Sequence, residues 1–186
     1  MVDLARKEIE TGGVSALSFR ALAKKVGITH RAIHNHFADK DTLLSAITVI
    51  GFRELAALLS KAKTAEDYVR TYATFALKYR DLYNVLTKQK YHQFKTVPEI
   101  RSSVDQVLLI SLNFLASRIA EIDAKRRAVA RVWMLVHGGV GLHLAGALHP
   151  RSDDDFIEEL LAIIGISEGQ SGPVQTMWNE AEQAHE

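Results

Sequence analysis

FRALAKKVGITHRAIHNHFADKDTLL, residues 19–44, holds two short apolar-periodic segments separated by a glycine. The second has a basic and polar outer face, and a third helix start follows at once. This is the layout of a helix-turn-helix, which lays one helix in a DNA major groove. Ser18 is placed to N-cap the first segment, with Leu17 and Leu22 at the spacing of a hydrophobic staple, and Gly27 ends it. Thr29 caps the next segment, and Ile28 and Ile33 repeat the staple. Asp39 then caps a helix that can run to about residue 61.

The second segment decides which side chains face out. Ile33 and Phe37 are four apart and turn inward together, so His30, Arg31, His34 and Asn35 point outward. Arg31 can pair with guanine edges or phosphate, Asn35 with adenine edges or phosphate, and the histidines with acceptors. Thr29 and the free N–H groups at the helix start can reach phosphate, as can Ser18 and Arg20. Lys40 puts a cation in the first turn of a helix, against the dipole; a phosphate there would be held by both. Taken alone, Lys40 reads as a solvated lysine.

Charge is skewed in the same direction. Residues 1–53 hold eight Lys/Arg and five Asp/Glu, net +3, whereas residues 54–186 hold fifteen and seventeen, net −2. Phosphate contact is the natural use of that skew. The chain of 186 residues is 47% hydrophobic and can bury a real core. With no cysteine it has no disulfides and no thiolate metal sites, which suits a reducing cytoplasm. Charges among the first ten residues leave no signal-peptide core, and no unbroken apolar run reaches the ~18 residues of a membrane span. Membrane partners and cofactors are therefore not expected.

The remainder reads as helical throughout, with three prolines and no sustained period-two alternation. A first helix covers residues 2–11, with Val2, Ala5 and Ile9 on one face and Gly12–Gly13 as its stop. Further helices follow the Thr64 cap to about residue 79 and span residues 81–88. Another runs from Pro98 to about residue 121, and one capped by Asp123 runs to about residue 149. The last is capped by Ser152 or Asp153 and ends at Gly165. Residues 89–97 and 165–173 read as loops, and a short helix from Val174 is possible. Tyr72, Phe75, Tyr79, Tyr83, Leu86, Tyr91, Phe94, Leu108, Leu112 and Phe114 form an apolar and aromatic inventory that is mostly core. Glycine costs a helix ~1 kcal/mol relative to alanine. Gly138, Gly139, Gly141 and Gly146 therefore call for close helix packing as compensation.

An enzyme reading fails on context. Gly165 to Gly169 matches G-x-S-x-G, but no strand precedes Ser167, and His137-Gly138-Gly139 sits inside a helix. His30 and His34 are four apart, yet no acid completes a metal site.

The segments SFRALAKKVGI, THRAIHNHF and ADKDTLL together resemble the TetR family of bacterial transcription regulators. The resemblance implies an all-α fold of about nine helices. Residues 1–48 would form a three-helix helix-turn-helix DNA-binding domain and residues 49–186 a helical ligand-binding and dimerisation domain. It places Ser18, Arg20, Thr29, His30, Arg31, His34, Asn35, His36 and Lys40 where family members touch DNA. His34 stands where the family's Tyr-x-His-Phe signature has tyrosine, so that phosphate contact becomes pH-sensitive. The first helix starts almost at Met1, leaving no basic arm before it. Trp133, His137 and Gly138 resemble the Trp-x-x-x-His-Gly signature of one C-terminal subgroup. The family also implies a ligand pocket, here with Phe75, Tyr79, Tyr83, Leu86, Leu108, Leu112, Trp133 and His137. A dimer interface would fall on Gly138, Gly141, Leu142, Ala145, Leu148, Phe156 and Leu160. The expected protein is a cytoplasmic homodimer, not an enzyme, that binds a near-palindromic double-stranded operator and is released by a small organic ligand. The residues equally accommodate a DNA binder without small-molecule control, constitutive or protein-regulated.

Overall fold

The computed structural model describes residues 1–88 and 96–166. The regular elements among them are α-helices: α1 Val2–Ala16, α2 Phe19–Val26, α3 His30–His34, α4 Lys40–Leu59, α5 Ala65–Lys78, α6 Arg80–Thr87, α7 Pro98–Ala116, α8 Ile122–Leu144 and α9 Asp153–Ile164. The expectation of an all-α chain with about nine helices holds. Tyr91, Phe94, most of the loop expected at 89–97, Ser167 and the helix expected from Val174 lie outside the described residues. By packing, the described residues form two compact units, 1–57 with 79–88 and 96–107, and 58–78 with 108–166. The divisions fall inside α4, between α5 and α6, and inside α7.

In the first unit, Ala5 and Ile9 are fully buried, as the α1 periodicity requires. The helix does not stop at Gly12–Gly13. It kinks at Gly13, whose φ of 70° and ψ of 176° suit only glycine, and resumes to Ala16. Gly27 ends α2 in the left-handed region, with φ 76°. The Ile28 N–H reaches back to the Ala23 carbonyl at 3.0 Å, closing a Schellman turn that carries the chain into α3. Regular helix in α3 is only five residues long. The N–H groups of His36 and Phe37 both return to Ile33 at 2.9 Å, so the coil continues two residues further.

α6 packs on α1 in this unit, with Leu82, Val85 and Leu86 buried. Arg6 of α1 pairs with Glu10 at 2.8 Å and with Glu54 of α4, while its guanidinium lies 5.2 Å over the Tyr79 ring. α4 is long and apolar enough to cross a bilayer by length and composition, which a count of unbroken apolar residues does not reveal. Its Leu43, Ile47, Leu55 and Leu59 are buried within the protein.

The core of the second unit is α5, α8 and α9. Thr64 caps α5, accepting from the Asp67 N–H at 3.0 Å. Seven of the fourteen α5 residues are buried, the pattern of a central helix. α8 turns one stripe inward, Val129, Val132, Val136 and Val140, at spacings of three and four. α9 answers with Phe156, Ile157, Leu160, Leu161 and Ile164. Three helix ends differ from expectation. α7 stops at Ala116. Glu121, not Asp123, caps α8, its carboxylate accepting from the Asp123 and Ala124 N–H groups. α8 itself ends at Leu144, just before Gly146 with φ 72°, five residues earlier than the sequence suggests.

Gly139 and Gly51 show close packing against another helix. A Cβ on Gly139 would lie 3.2 Å from Leu160. One on Gly51 of α4 would lie 2.8 Å from Leu86 and 3.2 Å from Leu82, both already buried. Overpacking a filled core costs typically about 1–3 kcal/mol. Gly51→Val is expected to lower the urea-unfolding free energy by about that amount; an unchanged midpoint would mean that the two leucines have room to move.

Candidate functional site

The set expected to face DNA begins with two caps. The Ser18 hydroxyl accepts from the Ala21 N–H at 3.5 Å and the Thr29 hydroxyl from the Ala32 N–H at 3.2 Å. Each cap leaves its hydroxyl hydrogen available to a phosphate oxygen. Burying Ile33 completely fixes the rotation of α3. Ser18, Arg20, Thr29, His30, Arg31, His34, Asn35 and His36 are all exposed, and Lys40 is half-buried. Arg31 carries no ion pair or side-chain hydrogen bond among the described residues. Such a guanidinium keeps its full donor fork for a base edge or phosphate.

His34 is the most constrained member. Its Nδ1 lies 3.2 Å from the Ala38 carbonyl, to which an N–H there donates. Its ring meets Phe19 at 5.2 Å and stands edge-on to His30 at 4.9 Å. Among the described residues no group of three or more His, Asp or Glu is placed to hold a metal. Lys40 is not the solvated lysine it resembles in the sequence. Its ammonium donates to the Val14 carbonyl at 2.6 Å, tying the start of α4 to the last turn of α1.

In the second unit, Trp133 and His137 meet Tyr68 and Tyr72, two pairs each spaced by four residues on facing helices. The Trp133 indole N–H donates to the Tyr68 hydroxyl at 3.3 Å, and that hydroxyl lies 2.6 Å from the Ser111 hydroxyl of α7. The Tyr72 hydroxyl is 3.2 Å from His137 Nε2, with the two rings edge-on. Burial pushes the Tyr68 phenol up and the His137 imidazole down, so both are held neutral. Sequence reasoning missed Tyr68 and Ser111. The four-residue spacing of Tyr68 from Tyr72, equal to that of Trp133 from His137, is the signal that pairs them.

The residues expected to line a ligand pocket do not converge on the cavity found in this unit. That cavity, about 240 Å3, lies between Leu115, Arg131, Val132 and Ile164. None of Phe75, Tyr79, Tyr83, Leu86, Leu108, Leu112, Trp133 and His137 lines it. Tyr79 lies under Arg6, and Leu86 lies against Gly51. Phe75 and Tyr83 are buried. Three residues expected at a dimer interface are corrected likewise. Leu148, Phe156 and Leu160 are buried within their own chain, Phe156 stacking on His143 at 4.5 Å and Leu160 facing Gly139. Gly138, Gly141, Leu142 and Ala145 are exposed, and among the described residues nothing lies within 4 Å of a Cβ on Gly138 or Gly141.

Two family models match the chain. One, described as bacterial regulatory proteins of the tetR family, covers residues 1–47. The other, a tetracyclin repressor-like C-terminal domain, covers residues 66–164, more than half of the chain. HTH-type transcriptional regulators of Mycobacterium bovis and Mycobacterium tuberculosis are each 29% identical over 63 residues. That match covers 34% of this chain and 27% of each relative, so the chain spans about a quarter of the length of the curated relatives it matches. A protein of unknown function from Rhodococcus sp. RHA1 superimposes with a TM-score of 0.65 at 27% identity, over 84% of this chain and 87% of that one. A TetR transcriptional regulator from Legionella pneumophila shares the fold, with a TM-score of 0.55 at 20% identity over 88% and 92% of the two chains.

His137 carries a pH consequence. A folded-state imidazole held below its ordinary ~6.5 contributes stability that is fully present above that value and declines as pH falls through it, because the unfolded chain then binds the extra proton. The urea midpoint should fall between pH 7.5 and pH 5.5, and His137→Gln should reduce that fall. An equal pH dependence in both proteins would remove His137 as a source.

Proposed function

The chain belongs to the tetR family of bacterial regulatory proteins, and from that premise we propose that it is a homodimeric DNA-binding transcriptional regulator, a repressor released from its operator by a small organic ligand. The observation that carries the reading is the outer face of α3. A short helix buries Ile33 alone and exposes His30, Arg31, His34 and Asn35 at the positively charged end of the chain. Two such helices, one per protomer, would enter successive major grooves of a near-palindromic operator, ~34–36 Å apart or a multiple of that. Residues 1–48 are the DNA-reading part and the remainder the effector and dimer part. The chain acts in the cytoplasm.

Support for self-association comes from α8. Its inner stripe is valine, while its outer face carries Met134, Gly138, Gly141, Leu142 and Ala145, with Met134 68% and Leu142 51% exposed. Small residues beside large exposed apolar ones suit close approach of a second helix. The same reading puts the C-terminal half in the Trp-x-x-x-His-Gly subgroup. The bonds of Trp133 and His137 to α5 support this, because they give the motif a packing role. Effector binding would act on DNA affinity as a coupling free energy of typically ~1–3 kcal/mol.

Two measurements test the reading. Arg31→Ala should weaken binding to an operator selected from random duplexes by about 1–3 kcal/mol, a rise in Kd of about five- to 150-fold by gel shift. An unchanged titration curve would remove α3 from the base-reading role. Leu142→Glu should sediment as a monomer at concentrations where the parent chain is a dimer, and an undisturbed dimer would put the interface on another face.

A further inference from the structure

A cavity in the second unit opens between the start of α5, the end of α7, the first half of α8 and the end of α9. Its walls are aliphatic: Leu115, Val132, Ile164 and Ile166, over the small side chain of Ala128. Arg131 is the one charged residue among the lining residues. Its Nη2 donates to the Ile164 carbonyl at 3.0 Å, which holds the guanidinium at the cavity and satisfies the end of α9. One carbonyl uses one of five N–H groups, and Arg131 has no carboxylate partner among the described residues.

This combination selects a ligand class. A guanidinium fork matches a carboxylate in two parallel hydrogen bonds, and apolar walls exclude a body rich in hydroxyls or a second charge. The α9 C-terminus contributes partial negative charge, so the anion must engage the N–H groups that Ile164 does not use. Size narrows the class further. About 240 Å3 is below the ~300–1,000 Å3 of drug-sized pockets, so the ligand is small.

We propose that this cavity binds a small monocarboxylate with a short apolar body, its carboxylate on Arg131. That molecule is also assigned as the effector, an identification that rests on the ligand-released reading above. Octanoate is the probe, titrated calorimetrically into the full chain, with 1-octanol as its uncharged counterpart. Octanoate should bind once per chain and at least tenfold more tightly than octanol. Arg131→Gln should cut octanoate affinity at least tenfold and leave octanol unchanged. Arg131→Lys keeps a charge that can still cap α9 and should fall between, which separates loss of the anion site from loss of the fold. Ala128→Leu should weaken both probes. No saturable heat, equal binding of the two probes, or octanoate binding indifferent to Arg131→Gln would each overturn the site. If Arg131→Gln instead changed the sedimentation coefficient, the face would belong to a second copy, and the proposal would fall. Operator binding is read separately by gel shift. Octanoate that binds at Arg131 without changing operator affinity overturns the effector assignment alone. Operator binding by a chain that takes no octanoate overturns the cavity and leaves the regulator reading standing.

Discussion

A helix of five residues cannot hold itself. Isolated helices shorter than ~12–15 residues are marginal in water, because nucleation fixes several dihedrals for each bond gained. α3 therefore exists through what surrounds it: the Schellman turn at Gly27, the Thr29 cap, and a single completely buried side chain, Ile33. That economy shapes the rest of the first unit. With one residue committed to the core, nearly the whole remaining circumference is left for polar side chains. The stability that α3 lacks is supplied by its neighbours, with α2 packed on it and α6 packed on α1.

Much of this was legible because it is local chemistry. A cap is a hydroxyl or carboxylate three residues before the N–H it receives, and Ser18, Thr29, Asp39, Thr64 and Ser152 all act that way. What could not be read depends on neighbours distant in sequence. Gly12–Gly13 looks like a stop, but the chain bends there and continues, with Lys40 holding the far side. Phe156 and Leu160 have the composition of an interface. They are core because α9 turns them towards Gly139 and His143 of its own chain. The tyrosines opposite Trp133 and His137 lie sixty-five residues away in each pairing, beyond any local pattern.

α8 shows how one helix divides its labour. Its valine stripe is stiff and β-branched, which suits a face locked against α5 and α9. Trp133 and His137 flank that stripe and meet tyrosine hydroxyls, so the polar atoms of the flank are satisfied without water. The opposite face keeps Gly138 and Gly141, which meet nothing among the described residues, although each weakens the helix. Arg131, two turns before Gly138, reaches across to the Ile164 carbonyl of α9. Core, polar flank, open face and cation thus succeed one another within about three turns.

The bond from Lys40 to Val14 bears on how many charges this protein brings to a polyanion. Each cation that neutralises a phosphate releases counterions and steepens the salt dependence of binding by about 0.9 in the logarithmic slope. An ammonium already donating to a backbone carbonyl in a half-buried setting enters that exchange at a disadvantage. A phosphate arriving at the start of α4 must either share Lys40 with Val14 or draw it away and loosen the last turn of α1. The effective valence of the DNA-reading end is therefore lower than its lysines and arginines suggest, and a footprint counted from sequence charge alone overstates how strongly ionic strength governs it.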